Sequence, residues 1–254
     1  MSAELGFPTE DIELPSKGKF YPEDSPLRSG KISLKYLTAR EEDILTSTNL
    51  LQQGVVLDKL CDSIIVTKGV KSEDLLLGDI NAVMVASRIL GYGKEYPIVA
   101  ICQMCGKSNK INVDLTTLTD KVPEIEPDPD GKFTFILPSG TVVRFQLLTR
   151  KNEQDIQVEV RAMSKAMKDD ISRELTTRLR YLITEFGGVT DPNKIYTSVD
   201  NMLVRDSRAL REAYQKATPD LNFDITYDCT CDDGAKQTVR LAMGPDFFWP
   251  DIGL

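Results

Sequence analysis

The sequence predicts an α+β protein of two similar halves by internal duplication. Each half has short strands, helices and a cysteine-bearing β-turn, and the two turns join in a zinc-ribbon-like site. Three observations predict it. First, YPIVAICQMCGKSNKINVDL (96–115) and LNFDITYDCTCDDGAKQTVRLAM (221–243) both read as strand, cysteine turn, strand. Second, helical patterns fill the space before each of them. Third, short motifs recur in the same order along the chain, which is the mark of a repeat.

The echoes run as follows. LPSKG (14–18) returns as LPSG (137–140). KISLKYLTAREEDIL (31–45) returns as TVVRFQLLTRKNEQDI (141–156), a strand, then Leu-Thr, then a helix start. VASRIL (85–90) returns as RDSRAL (205–210), and the CQMCG turn returns as CTCDDG. These divide the chain into an extended N-terminal arm (1–30), a first half (31–115), a linker (116–131), a second half (132–243) and an aromatic tail (244–254).

Each element has a local reason. The arm is rich in Pro, Gly and charge, with turns at Lys17-Gly18 and Ser29-Gly30. ISLKYL alternates and predicts a strand. Thr38 with Glu41 three residues on fits a capping box and starts a helix through about 47. Further helices are expected over about 55–66, with Cys61 as a buried apolar residue, and over 78–90, stopped by Gly91 and Gly93. DPDG in the linker is a turn, and it lacks the ligand spacing of a calcium loop. FTFIL and TVVRFQLL, split by Pro138-Ser139-Gly140, predict a hairpin. Helices follow over about 150–168, 171–186 and 202–216; the second carries an apolar stripe of Leu175, Leu179, Leu182, Ile183 and Phe186.

Composition narrows the function. With 254 residues and 41% hydrophobic content, the chain can bury a proper core. It has no histidine, which removes Ser–His–Asp and Cys–His catalysis and histidine metal ligands. A net charge of −8 gives no basic footprint for nucleic acid. No apolar run is long enough to span a bilayer. MSAELGFPTEDIELPSKGKF has neither the apolar core nor the basic cluster of a signal peptide, so a reducing cytoplasm is expected.

In that compartment paired cysteines are more often metal ligands than disulfides. The partners expected for Cys102 and Cys105 are Cys229 and Cys231, 124 residues beyond Cys105 at the start of the second pair. Four thiolates favour tetrahedral zinc in a closed structural site. An iron–sulfur cluster, free thiols and a disulfide remain alternatives, and Cys-x-Cys is a less usual spacing.

Other residues invite functional readings. Lys17-Gly18-Lys19 lacks a phosphate-loop pattern and reads as a turn. Glu41, Glu42 and Asp43 suit a helix dipole better than catalysis. Phe247-Phe248-Trp249-Pro250 is dense for a chain only 7% aromatic; it either folds onto the chain's own core or docks a partner. The arm, through Pro15, Lys17, Phe20 and Tyr21, invites the same two readings.

LPSKGKFYP, GKISLKYLTAREEDILTSTNLLQQGVVLDKL (30–60), the two cysteine turns and the closing FFWP together resemble the T4-type bacteriophage baseplate protein family. The resemblance covers most of the chain and is weakest over 150–216. It implies a non-enzymatic structural or chaperone-like protein of the baseplate hub of a contractile-tailed phage. Its expected partners are other baseplate hub or tail proteins, with no nucleic acid, membrane span or small-molecule substrate. It would work in the host cytoplasm during tail assembly or in the virion baseplate. A metal-cluster or redox protein, and a nucleic-acid-binding zinc ribbon with Lys107, Lys110 and Lys236 beside the cysteines, are the alternatives.

Overall fold

In a computed structural model, which describes residues 8–167, 171–229, 236–243 and 247–248, the first described strands form a hairpin. β1 (Thr9–Glu13) pairs antiparallel with β2 (Lys31–Lys35), Ile12 opposite Ile32. The segment between them is packed, not extended. Leu14, Pro15, Ser16, Gly18 and Tyr21 are all buried. Gly18 sits at φ +75°, and a Cβ there would lie 2.3 Å from the Arg28 carbonyl oxygen, so only glycine fits this close approach.

α1 (Ala39–Thr46) follows, capped as its sequence predicts. The Glu41 carboxylate accepts from the Thr38 backbone N–H at 2.9 Å, the Thr38 hydroxyl at 2.6 Å, Ser63 Oγ at 2.7 Å and Lys35 Nζ at 2.9 Å. Burial opposes ionisation of Glu41. The bonds from Ser63, Thr38 and Lys35 together outweigh it and hold the carboxyl down at about 2. The folded value lies below the ordinary one of 4.5, so this stabilisation is present above pH 4.5 and is lost as pH falls through about 2. Urea titrations at pH 5 and pH 3 should show that loss, and Glu41→Gln should flatten it.

α2 (Thr48–Gln53) and α3 (Val56–Ile64) lead to a bridge between Leu34 and Ile65, and then to α4 (Leu77–Tyr92). β3 (Glu95–Ile101) and β4 (Ser108–Asp114) form the first cysteine hairpin. In the linker region, β5 (Asp120–Lys121) is a short strand. The DPDG turn there is closed by Asp128, which accepts from the Asp130 and Lys132 backbone N–H groups and pairs with Arg144.

β6 (Phe133–Ile136) and β7 (Val142–Phe145) form the second LPS hairpin. α5 (Arg150–Met167) follows, then α6 (Glu174–Leu182) and β8 (Ile183–Phe186), which pairs with β7. The single helix expected over 171–186 therefore ends early. Ile183 and Thr184 are β-branched, and the free edge of β7 offers them a ladder, which outweighs the helical stripe. α7 (Pro192–Asp200) and α8 (Val204–Ala217) come next. β9 (Asp220–Leu221) pairs with β5, and β10 (Asp224–Asp228) pairs with β11 (Lys236–Arg240). The result is mixed helix and strand with small sheets, as the α+β prediction requires.

One large apolar core runs through the residues on both sides of the linker, from Leu14 and Leu60 to Phe145 and Leu210. Several contacts tie those two sides together. Leu76 bridges Thr149, with Leu77 N donating to Leu148 O and Arg150 N to Leu75 O. Arg150 holds Asp58 in a two-pronged pair at 2.5 and 3.1 Å. At Gly78 on α4, a Cβ would lie 1.9 Å from the Pro219 carbonyl oxygen. Gly78→Ala should therefore force two backbones apart, at a cost of about 3 kcal/mol in urea denaturation.

Candidate metal centre

The tip between β3 and β4 is fixed by its backbone. Cys102 N donates to Lys107 O at 2.9 Å, and Gly106 N donates to Cys102 O at 2.9 Å. Gly106 adopts φ +69°, a conformation that suits glycine and turns the chain back after Cys105. Cys229 stands just past the end of β10. Ala100, Cys102, Tyr227 and Cys229 are buried together, with Ile111 and Val239 packed against them, as a small core separate from the main one.

This packing brings thiols from two distant hairpins to one point. The Sγ atoms of Cys102, Cys105 and Cys229 all lie within 4.8 Å of one another. Cys105 Sγ and Cys229 Sγ are 3.7 Å apart. That is too long for a disulfide of about 2.05 Å. It matches the spacing of two thiolates on one tetrahedral zinc, about 3.8 Å for bonds of about 2.3 Å. The three thiols and their spacing therefore fit a soft metal ion. Cys102 and Cys229 are buried and Cys105 is exposed. Cys231 and Trp249 lie outside the described residues.

The fifth cysteine is elsewhere. Cys61 is buried in α3, and burial next to Asp58 and Asp62 pushes its thiol up to about 12. It stays protonated at neutral pH and is a packing residue.

Sequence reasoning missed Asn109. It is 6% exposed, and its Nδ2 lies 3.1 Å from Lys107 O and 3.5 Å from Cys229 Sγ. The signal was available in the alternation of β4, where Asn109 shares the inward face with Ile111 and Val113.

The residues considered for docking are distributed unevenly. Pro15 and Tyr21 are buried, Phe20 is half-buried and Lys17 is exposed. Lys17 Nζ pairs with Asp120 at 2.7 Å and Glu13 at 3.1 Å. Tyr21 donates its hydroxyl to Asp79 Oδ2 at 2.6 Å and accepts from Leu76 N at 2.9 Å, while Ser16 N donates to Asp79 Oδ1 at 3.0 Å. Burial raises the Asp79 carboxyl despite these bonds, and raises the Tyr21 hydroxyl with it. Phe247 and Phe248 are 0% and 1% exposed, with Phe247 edge-on to Tyr96 at 5.0 Å.

Among the described residues, no helix is long and apolar enough to cross a membrane. No curated protein and no solved structure matches the chain. The family model described as T4 bacteriophage base plate protein matches residues 8–249, nearly the whole chain, and the chain belongs to that family.

Proposed function

We propose that this protein is a non-enzymatic structural or assembly component of the baseplate hub, built as two similar halves and clipped by a structural zinc on Cys102, Cys105, Cys229 and Cys231. The clustering of three thiols from two hairpins carries this reading, because residues 124 apart in the sequence meet at a spacing that suits one metal ion. A closed four-thiolate zinc supplies no reaction; it cross-links the hairpins and adds folding free energy. A [4Fe–4S] cluster takes one thiolate per iron and would hold the cysteine sulfurs farther apart than 3.7 Å.

Matched contacts support the two-half architecture. Ser16 N donates to Asp79 at 3.0 Å, and Ser139 N donates to Asp206 at 3.0 Å, Asp79 lying in the first turn of α4 and Asp206 in the first turn of α8. Thr38 N donates to Glu41 and Thr149 N to Asn152, two caps of the same form. The Leu34–Ile65 bridge stands where β8 stands on β7. The echo of VASRIL and RDSRAL belongs to a different alignment, since Arg88 lies deep in α4 and is buried, whereas Arg208 lies near the start of α8 and is exposed.

Partners would be other hub or tail proteins. Of the residues suggested for docking, Lys17 and Phe20 are the described ones that reach the surface, beside Val122, which is 75% exposed. The test is a phage lacking this chain. It should produce tails without complete baseplates, and the supplied protein should restore them and cosediment with baseplate intermediates. Normal baseplates in its absence would overturn the reading.

A further inference from the structure

We infer that Asn109 is a positioning residue of the metal centre, donating its side-chain amide to the Cys229 thiolate and fixing that sulfur for coordination. The inference rests on the metal reading proposed above and adds a residue that no cysteine pattern would reveal.

Two contacts define the amide. Nδ2 faces Lys107 O at 3.1 Å and Cys229 Sγ at 3.5 Å. Both partners can accept, so the NH2 end of the amide faces them. Lys107 O also accepts from Cys102 N at 2.9 Å. One side chain thus connects the tip that carries Cys102 to the sulfur supplied by the other hairpin. Asn109 is 6% exposed, and a buried amide that is not hydrogen-bonded is costly, so its position in the fold is specified by these acceptors.

The chemistry follows from charge. The thiolates of Cys102, Cys105 and Cys229 around a dication already leave a net negative charge, here in a place where Cys102 and Cys229 are 1% and 6% exposed. Water cannot solvate those sulfurs fully, so N–H donors must spread the charge. An amide on Cys229 does this, and it also prevents the sulfur from rotating away.

The experiment uses the full chain as wild type, Asn109→Leu and Asn109→Asp. Leu keeps the branched heavy-atom pattern and removes the donor. Asp keeps the shape and replaces the donor with negative charge. Zinc affinity is read by chelator competition, and the cobalt-substituted proteins by their thiolate-to-cobalt absorption. Unfolding of the metal-free proteins is the control for folding. We expect Asn109→Leu to weaken zinc by about tenfold or more, within the range for outer partners of metal ligands. Asn109→Asp should weaken it further, with a shifted cobalt band in both. Metal-free unfolding temperatures should stay close to that of the wild type. Wild type that binds metal, with both variants within twofold of it, would overturn this inference alone. Variants that lose affinity only in proportion to lost metal-free stability would overturn it as well. Wild type that binds no metal would overturn the metal reading and this inference together.

Discussion

Replacing Cys102 and Cys229 together by serine should remove the metal and lower the unfolding temperature by about 10 °C or more. Structural zinc is worth about 10–16 kcal/mol in small fingers that are unfolded without it. This chain has a large separate core, so its metal-free form keeps most of the fold and the loss is smaller. A few kcal/mol is still expected, and at this size each kcal/mol moves the midpoint by about 2–4 °C. Metal content by mass spectrometry and calorimetry with and without chelator would measure both. Wild type should carry about one zinc per chain, and chelator should bring its midpoint down to that of the variant. The variant should ignore chelator. Cys61→Ala is the control: its thiol lies in α3 with no cysteine partner among the described residues, so metal should be retained. Zinc-free wild type purified without chelator would sink the clip, and iron in its place would change the metal.

The parts of this fold that were legible in the sequence are those with local causes. Thr38 and Glu41 announced α1 because a capping box is written in four residues. Gly106 and Gly93 announced a turn and a helix stop because each adopts a positive φ, whereas Gly91, also expected to stop the helix, lies inside α4, which continues to Tyr92. The approach of Cys102 and Cys105 to Cys229 was legible too, since paired thiols have few other uses in a chain without histidine. What was not legible depended on distant neighbours. β1 pairs with β2 across a packed turn, and nothing within TEDIE marks it as a strand. Ile183–Phe186 reads as helix until the edge of β7 is placed beside it. β5 and β9 are two residues each and exist only because they meet. Asn109 looked like an ordinary polar residue on a strand; its meaning came from the sulfur opposite it.

Replacing Phe247 and Phe248 together by alanine should cost about 5 kcal/mol or more, measured by urea denaturation. Each ring is essentially inaccessible, and truncating a buried Phe costs about 3–5 kcal/mol. The two losses will not add in full, because the rings touch edge-on at 5.3 Å and share one cavity. Phe247 also meets Tyr96, so the double variant removes one wall of the pocket around the start of β3. That strand ends one residue before Cys102, so the change should reach the metal centre as a modest loss of zinc affinity. The sequence alone left two uses for these aromatics, a partner's surface or the chain's own core. The covered rings make a specific distinction possible. If they act through the core, the variant should lose stability when studied alone, and any lost association with baseplate proteins should return at temperatures where it is folded. If the folded variant still fails to associate, the segment also contacts a partner. An unchanged denaturation curve would overturn the packing assignment.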